Sequence, residues 1–307
     1  MKAATDATRA THVTRVTPPT RPTGAARPPG TLVLVSTPIG NLGDLSPRAA
    51  ATLARVGVIA CEDTRHTRRL LTHAGVSGKE LLAVHDHNEA AQVDHVLRLL
   101  DRGVDVAVVT DAGTPAISDP GARLVAAAAA AGARVEAVPG PSALVAALVV
   151  SGLPSDRFCF EGFLPRKGRE RVQRLQAIAA ERRTTVLYEA PQRVPATLAD
   201  LSAACGPLRG VAVARELTKL HEEVWRGTLE DALAWVAETA PRGEHVLVVG
   251  GAPEPEPASD EEVTTALRAK LGRGLPAKEA IPLVAAELGV PKRRVYEASV
   301  RIRAEGG

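Results

Sequence analysis

Three loops rich in small residues are the parts of this chain best suited to hold a ligand. They span residues 38–44 (P-I-G-N-L-G-D), 110–115 (T-D-A-G-T-P) and 138–143 (V-P-G-P-S-A), and each follows an apolar, strand-like segment. Small side chains let a ligand approach the backbone, and loops that follow parallel strands meet at one edge of a sheet. D-A-G-T-P alone could be only a tight turn, but the three loops together predict one ligand crevice.

The class of ligand is narrowed by two motifs that the sequence lacks. There is no G-x-G-x-x-G fingerprint after a strand and no Walker lysine. Both motifs hold phosphate groups, the first for dinucleotides and the second for nucleoside triphosphates. A phosphate cradle is therefore not predicted for the crevice.

Basic segments could position a polyanion such as RNA. Residues 163–183 contain seven basic and two acidic side chains, and the basic ones begin with Arg166, Lys167 and Arg169. Arg65 and Arg68 could form a second patch beside the crevice. Arginine and lysine side chains on phosphates position RNA without reading its sequence. A solvated helix face in an arginine-rich chain is the alternative interpretation.

The tail contains a segment that resembles a helix-turn-helix. In residues 286–296 (A-E-L-G-V-P-K-R-R-V-Y), Gly289 is expected to end one helix and Pro291 to begin the next. This places Lys292, Arg293 and Arg294 in a first helical turn, available to phosphate. A small helical cap is the alternative, and Pro282 should kink or shorten the preceding helix.

The elements that position these loops alternate between strand and helix. Residues 31–36, 56–61, 104–110 and 134–138 read as strands of a mainly parallel sheet, and a second block has strands near 158–162, 184–189, 211–215 and 245–250. The fold class is therefore α/β. We predict a disordered extension (1–30), two α/β domains (31–153 and 154–251), a linker (252–259) and a small helical tail (260–307).

Composition excludes several classes of protein. The formal net charge is +3, and residues 1–30 carry enough of it to leave the rest nearly neutral, so a polyanion must meet local patches. Three distant cysteines without C-x-x-C exclude a disulfide framework and a thiolate zinc site, and favour the cytoplasm. No apolar stretch could span a bilayer. Aromatic residues, at 2%, are too few for a base-stacking platform.

Eight motifs occur in the order typical of one enzyme family. They are T-P-I-G-N-L-G-D (37–44), E-D-T-R-H-T (62–67), H-D-H-N (85–88), D-A-G-T-P (111–115), P-G-P-S-A (139–143), L-P-S-D-R-F-C-F-E-G-F-L-P (153–165), Y-E (188–189) and A-R-E-L-T-K (214–219). The chain thereby resembles the bacterial 16S rRNA (cytidine-2′-O)-methyltransferases of the tetrapyrrole methylase superfamily. The second, third and last motifs separate this branch from the porphyrin and corrin methylases.

The resemblance implies two α/β domains with S-adenosylmethionine (SAM) in the cleft between them, and a homodimer. It implies methyl transfer to the ribose 2′-hydroxyl of a decoding-centre cytidine in the small ribosomal subunit, without a metal ion. The positions that match cofactor contacts of the superfamily are Ile39, Ala112, Gly113, Thr114, Ile117, Ser142, Ala143, Glu189 and Thr218.

Transfer to a hydroxyl requires a general base, because a ribose hydroxyl is only weakly acidic. Glu62 and Asp63 are the candidates, and Glu62 matches the position of a proton acceptor proposed in the superfamily. Alternatively, either carboxylate could pair with Arg65 or Arg68 and stabilise the loop. His85, Asp86 and His87 could form a base cluster or bind metal, but a hydrogen-bond network or contact with RNA is favoured over both.

Two other functions are compatible with parts of the pattern. A small-molecule tetrapyrrole methylase would use the same crevice, but it would not explain the basic segment and the added tail. A ribosome assembly factor could keep the fold without catalysis, but it would not explain the intact D-A-G-T-P, P-G-P-S and Y-E loops.

Overall fold

The computed structural model describes residues 28–85, 88–254 and 258–305. The chain divides into two compact units, of which the first ends at Ala252 and the second is Pro253–Gly307. The first unit contains two β-sheets, one within residues 31–138 and one within residues 158–249. The division into domains 31–153 and 154–251 stays a prediction. Most of the predicted N-terminal extension, residues 1–27, lies outside the described residues, as do residues 255–257 of the predicted linker.

The first sheet consists of five parallel strands, in the spatial order β3-β2-β4-β1-β5. The strands are β1 (Thr31–Val35), β2 (Val58–Cys61), β3 (Glu80–Ala83), β4 (Val106–Val109) and β5 (Arg134–Val138). The helices of this half are α1 (Pro47–Arg55), α2 (Thr64–His73), α3 (Glu89–Asp101), α4 (Ala122–Ala130) and α5 (Ala143–Val150). Every residue of β2 and β4 is buried, as expected for strands covered by helices on both faces.

The second sheet also has five strands, in the order β6-β7-β10-β8-β9, and only β6 and β7 are parallel. Its strands are β6 (Phe158–Phe163), β7 (Thr184–Glu189), β8 (Gly210–Arg215), β9 (Glu223–Thr228) and β10 (His245–Val249). Helices α6 (Arg169–Ala180), α7 (Val194–Cys205) and α8 (Leu229–Glu238) cover one face, whose core includes Leu247. On the other face, Val246 packs with Ala147 of α5, so this helix joins the two halves.

The tail forms three helices with a core of their own. They are α9 (Asp260–Gly272), α10 (Ala277–Glu287) and α11 (Lys292–Glu305). Gly289 adopts a positive φ of 64°, and Val290 N–H donates to the carbonyl of Ala285 at 3.1 Å, which forms a Schellman ending to α10. The predicted turn is therefore present. Pro282 does not shorten α10, which continues through it to Glu287, and the expected kink stays a prediction.

Some elements were not predicted from the sequence. Strands β3 and β9 and helices α2 and α5 were not predicted. β3 and β9 are edge strands without a buried residue, and α5 is apolar on all sides. An Asp-Pro pair is typical of a helix start, but α4 begins at Ala122, two residues after Asp119-Pro120. In the described part of the chain, no helix has the length and apolar character to span a membrane.

A buried carboxylate explains where α4 begins. Glu89, the first residue of α3, is 5% exposed, and its Oε1 accepts hydrogen bonds from the backbone N–H groups of Gly121, Arg123 and Leu124 at 2.9–3.2 Å. A negative charge at a helix N-terminus is stabilising, and these donors would otherwise lack partners inside the helix. Glu89, a residue of α3, thus determines where α4 begins.

We expect Glu89→Ala to lower the free energy of unfolding by about 2–4 kcal/mol, since buried N–H groups lose their acceptor. Urea denaturation measures the loss. Glu89→Gln is the matched control, because its side-chain oxygen can still accept, and it should cost less. Equal stability of Glu89→Ala and the unaltered protein would show that the cap is not needed.

Candidate active site

A cavity of about 400 Å³ lies between the two sheets of the first unit. The first half contributes Ile39, Glu62, Asp111, Ala112, Gly113, Thr114, Ile117, Ser118, Asp119, Ser142 and Ala143 to its wall. The second half contributes Phe163, Tyr188, Glu189, Ala190, Pro191, Leu217, Glu244, His245 and Val246. The predicted loops after β1, β4 and β5 therefore meet at one place. The volume lies within the range of about 300–1,000 Å³ that is usual for small-molecule sites.

Hydrogen bonds join the three loops to one another. Thr37 and Gly113 exchange backbone hydrogen bonds of 2.8 and 3.2 Å, which join the first loop to D-A-G-T-P. The hydroxyl of Thr114 lies 3.2 Å from that of Ser36 and donates to the carbonyl of Pro141 at 3.3 Å. D-A-G-T-P is therefore more than an isolated tight turn, because both neighbouring loops are bound to it.

Residues at or near this cavity have close contacts and strained backbone conformations. Gly113 has a φ of +87°, and a Cβ there would lie 3.4 Å from Cγ2 of Ile39. Ala116, Ser118 and Thr218 also have positive φ values, which residues with a side chain rarely adopt. Backbone strain of this kind persists where surrounding contacts hold it, and it is common at functional sites.

Eight of the nine predicted cofactor positions line the cavity: Ile39, Ala112, Gly113, Thr114, Ile117, Ser142, Ala143 and Glu189. Thr218 lies just behind this wall, where its Oγ1 would be 3.0 Å from a Cβ at Gly40. That hydroxyl is buried and has no hydrogen-bond partner among the described residues. It could hydrogen-bond a ligand or a water molecule.

The structure separates the two candidate bases. Asp63 is the N-cap of α2, and its carboxylate accepts from the N–H groups of Arg65 and His66 at 2.7 and 3.4 Å. The bond from Arg65 is the main reason that the pKa of Asp63 lies below its usual value. Asp63 is absent from the cavity wall, whereas Glu62 is part of it. Only Glu62 therefore faces the space where a substrate would react.

A second cavity of about 350 Å³ adjoins the first, and the two share Ile39, Asp111, Ala112 and Glu244. Its other wall includes the exposed side chains of His66 and Arg69 and the amine of Lys219. Asp111, which also accepts a 3.2 Å hydrogen bond from the backbone of Asp63, thus borders both spaces. The basic side chains of the outer cavity stand beside acidic ones, because Asp111 and Glu244 also line it and the Lys219 amine pairs with Glu216 and Glu244 at 2.8 Å.

Glu189 is 2% exposed, and three donors surround its carboxylate. The Thr197 hydroxyl donates at 2.6 Å, the backbone N–H of Ala190 donates at 2.9 Å, and Nε of Arg193 lies 3.2 Å away. The neighbouring Tyr188 hydroxyl accepts from the backbone of Leu144, which ties β7 to α5, and burial raises its pKa. The Y-E motif therefore has a clear structural role beside any contact with a ligand.

The segment 163–183 exposes fewer unpaired basic side chains than its charge count suggests. Arg166, Lys167 and Arg169 are exposed, on a loop and at the start of α6. Arg171, in contrast, is buried and binds Asp200, Thr197 and the carbonyl of Pro165. Two further arginines of the segment are in ion pairs, Arg174 with Glu161 and Arg183 with Glu181. A polyanion could therefore use the first three cations more readily than the others.

The other predicted RNA contacts differ in their surroundings. Arg65 and Arg68 are exposed on α2, and the nearby Arg69 belongs to the outer cavity. In the tail, Arg293 pairs with Glu297 at 3.0 Å and Arg294 pairs with Asp260 at 2.8 Å. Lys292 is exposed at the start of α11.

The predicted His85, Asp86 and His87 cluster is described only at His85. This residue follows β3, which ends at Ala83, so it is not part of a strand. Asp86 and His87 lie outside the described residues. Among the residues that are described, no group of three or more His, Cys, Asp or Glu side chains has an arrangement that could hold a metal ion.

Several wall residues were not singled out from the sequence. Phe163, Leu217, Glu244 and His245 belong to the second half; Phe163 and Leu217 fall within quoted motifs, but the sequence assigned none of the four a role. Asp111 was read only as a turn residue. These residues lie in the cavity wall because the second sheet packs on α5.

The sequence of this chain is similar to those of several known proteins. Residues 31–233 match the family of tetrapyrrole (corrin/porphyrin) methylases, and residues 257–303 match the RsmI C-terminal HTH domain. A ribosomal RNA small subunit methyltransferase I of Synechocystis sp. is 49% identical over 90% of this chain and 100% of that protein. One of Xylella fastidiosa (strain Temecula1) is 50% identical over 87% of this chain and 98% of that protein.

Solved structures show the same fold at much lower identity. Uroporphyrin-III C-methyltransferase from Thermus thermophilus, complexed with S-adenosylhomocysteine, has a TM-score of 0.53 and 19% identity. The match covers 72% of this chain and 97% of that one.

Proposed function

The chain belongs to the tetrapyrrole methylase family, in the branch of the ribosomal RNA small subunit methyltransferases I, and we propose that it methylates 16S rRNA with SAM as donor. The acceptor in this proposal is the 2′-hydroxyl of a cytidine ribose in the decoding centre. The observation that carries the proposal is the meeting of three small-residue loops and the second sheet around one cavity. The adjoining cavity of about 350 Å³ supplies room for a nucleotide.

The residues of the larger cavity fit SAM. Its wall combines small residues with backbone groups, and Gly113 leaves room where a side chain would crowd Ile39. SAM carries no phosphate, which agrees with a wall built without a phosphate cradle. The carboxylates of Asp111 and Asp119 lie on the first-half wall, where a cationic group of a ligand would be favourable.

In the proposed reaction, SAM supplies a methyl group that its sulfonium already activates. The cavity walls orient the donor and the ribose and exclude water from the reacting groups. Glu62 accepts the proton of the 2′-hydroxyl as the oxygen takes the methyl group. Bound there, SAM would supply the methyl group and would leave as S-adenosylhomocysteine (SAH). Asp63 positions the loop by capping α2.

We propose that RNA approaches from the side of the outer cavity. Exposed Arg65 and Arg68 lie on the helix that supplies His66 and Arg69 to that cavity. Arg166, Lys167 and Arg169 lie on the chain just after Phe163, a residue of the inner wall. Their cations would hold phosphates on either side of the target nucleotide. The tail cations Lys292, Arg293 and Arg294 would also contact RNA phosphates, as suits a helix-turn-helix domain.

Replacing Arg166, Lys167 and Arg169 together with alanine should weaken RNA binding and reduce the slope of log K against log salt by up to about 2, because each lost phosphate contact in single-stranded RNA contributes about 0.7. Filter binding of 16S rRNA at several salt concentrations measures both effects. SAM affinity should stay unchanged.

The matched control removes three exposed arginines from the opposite edge of the first sheet, where strands begin: Arg98, Arg102 and Arg134. The two triple variants lose the same charge. If both weaken RNA binding equally, the effect is one of net charge and the assigned contact is wrong.

The function is tested by incubation with labelled SAM and either 30S subunits, free 16S rRNA or a porphyrin precursor. Label in a cytidine ribose of 30S rRNA is the expected result, and nuclease mapping locates the nucleotide. Label in the porphyrin would contradict the RNA substrate. Binding to 30S subunits without transfer would contradict catalysis.

We also propose a cytoplasmic homodimer. The substrate is a ribosomal subunit and the cysteines are free thiols, as in a reducing compartment. Val145 and Val149 of α5 are 50% and 67% exposed, so this helix offers an apolar surface to a second copy.

A further inference from the structure

Phe163 is a half-exposed aromatic residue in the wall of the larger cavity. It is the last residue of β6, and 52% of its surface is exposed. It lies opposite Tyr188 of β7, which in turn lies opposite Val246 of β10. Residues opposite one another on neighbouring strands have their side chains on the same face of the sheet. Val246 packs with α5, so the Phe163 ring lies on the face that borders the cavity.

The ring contacts a side chain that is itself held in place. The centroids of the Phe163 and Tyr188 rings lie 5.7 Å apart in an edge contact. Tyr188 also contacts Phe160, with 4.9 Å between ring centroids, and its hydroxyl accepts from the backbone N–H of Leu144. One part of the Phe163 ring is therefore supported, and the rest is open to solvent. A ring held in this way loses little conformational entropy when a second planar group stacks on it.

A groove of about 710 Å³ adjoins the larger cavity at this ring. The groove and the cavity share Phe163 and Ala190. Because β6 and β7 are parallel, the loops that follow them lie side by side at one edge of the sheet, and they line the groove. The other lining residues are Leu164, Pro165, Arg166, Gln192 and Arg193.

The groove combines apolar surface with groups that can bind a nucleotide. Arg166 and Gln192 are exposed. Arg193, in contrast, already pairs with Glu189 at 3.2 Å and donates to the backbone carbonyl of Leu164 at 2.7 Å. Proteins bind single-stranded nucleic acids by stacking bases on aromatic rings and by pairing cations with phosphates. An amide side chain can in addition donate to and accept from the edge of a base.

We propose that Phe163 stacks on a base of the rRNA that flanks the target cytidine, and that Arg166 binds a phosphate of the same nucleotide. This inference rests on the proposed function and names a subsite for its RNA substrate. The exposed cations Lys167 and Arg169, which follow Arg166 closely in the chain, favour a polyanion over a peptide in this groove. The low aromatic content excludes a platform of several rings, but one ring can hold one base.

The experiment measures filter binding of protein-free 16S rRNA, with SAH present and excess tRNA as competitor. Phe163→Ala should weaken binding about tenfold, the effect of one stacked base. Phe163→Tyr keeps the ring and should bind like the unaltered protein. The matched control is Phe158→Ala, because Phe158 begins the same strand and is 40% exposed but lies at its opposite end. Thermal melting checks that each variant is folded.

Salt dependence separates stacking from a phosphate contact. A stacked base releases no counterions, so Phe163→Ala should keep the slope of log K against log salt. Arg166→Ala should reduce that slope by about 0.7, because it removes one phosphate contact from single-stranded RNA. A slope that falls equally in both variants would contradict stacking by Phe163.

Calorimetry with SAH separates this inference from the proposed function. Phe163→Ala should lose far less affinity for SAH than for RNA. If it loses SAH affinity as strongly, the ring packs on the methyl donor, and the inference is refuted while the function stands. Unchanged RNA affinity in Phe163→Ala, or an equal loss in Phe158→Ala, would also refute it. If the unaltered protein transfers no label to 30S rRNA, the proposed function fails and the inference fails with it.

Discussion

Glu62→Gln should lower the rate of methyl transfer by about 10²–10⁴-fold, the usual contribution of a general base, while SAM affinity changes little. Glutamine keeps the size of the side chain and its hydrogen-bonding capacity but cannot accept the hydroxyl proton. Single-turnover transfer to 30S subunits measures the rate, and calorimetry measures SAM binding. The loss should therefore appear in kcat.

The matched comparison uses the two neighbouring carboxylates. Asp63→Asn should leave the rate near that of the unaltered protein, because asparagine is also a good N-cap for α2. Asp111→Asn tests the carboxylate that borders both cavities. If Asp111→Asn loses the rate and Glu62→Gln keeps it, Asp111 is the base and the role proposed for Glu62 is wrong.

Gly113→Val should abolish measurable SAM binding, with a loss of affinity of at least about 100-fold, which corresponds to about 2.7 kcal/mol. A β-branched residue is strained at a φ of +87°, and its Cβ would lie 3.4 Å from Ile39 Cγ2 in the cavity wall. The side chain would displace the D-A-G-T-P loop, or the loop after β1 that is bonded to it at Thr37. Calorimetry with SAM measures the effect.

The matched control is Gly132→Val. Gly132 has a φ of +72°, so the backbone strain is similar, but a Cβ there meets nothing within 4 Å. The two variants should melt at comparable temperatures, and only Gly113→Val should lose SAM. Normal SAM affinity in Gly113→Val would contradict the placement of the donor in this cavity.

Local sequence signals predicted most of the elements and the first half of the site. Ser46 and Pro47 begin α1 as their residue types indicate, with the Ser46 hydroxyl accepting from Ala49 N–H at 3.1 Å. The loops after β1, β4 and β5 were recognised because small residues interrupt apolar strands. Parallel strands bring such loops together by topology alone, so their convergence needed no knowledge of side-chain packing.

Charge patterns were a weaker guide. The segment 163–183 predicted one basic surface, but Arg171 is buried against Asp200 and Thr197. The sequence pattern of an amphipathic helix predicts that an arginine on its polar face is exposed, because the sequence does not show which residues will pair with it. Those partners lie on α7, and nothing near Arg171 in the sequence indicates them.

The sequence by itself determined the α/β class, the strand-ending loops and the family motifs, because these depend on short runs of residues and on the order of elements. Tertiary structure alone decided that Asp63 caps a helix while Glu62 faces the cavity, that Asp111 borders two spaces and that the Phe163 ring lies half-exposed beside the cavity. The reason is physical: a side chain's hydration and its hydrogen-bond partners depend on strands and helices distant in sequence, and these meet only in the folded chain.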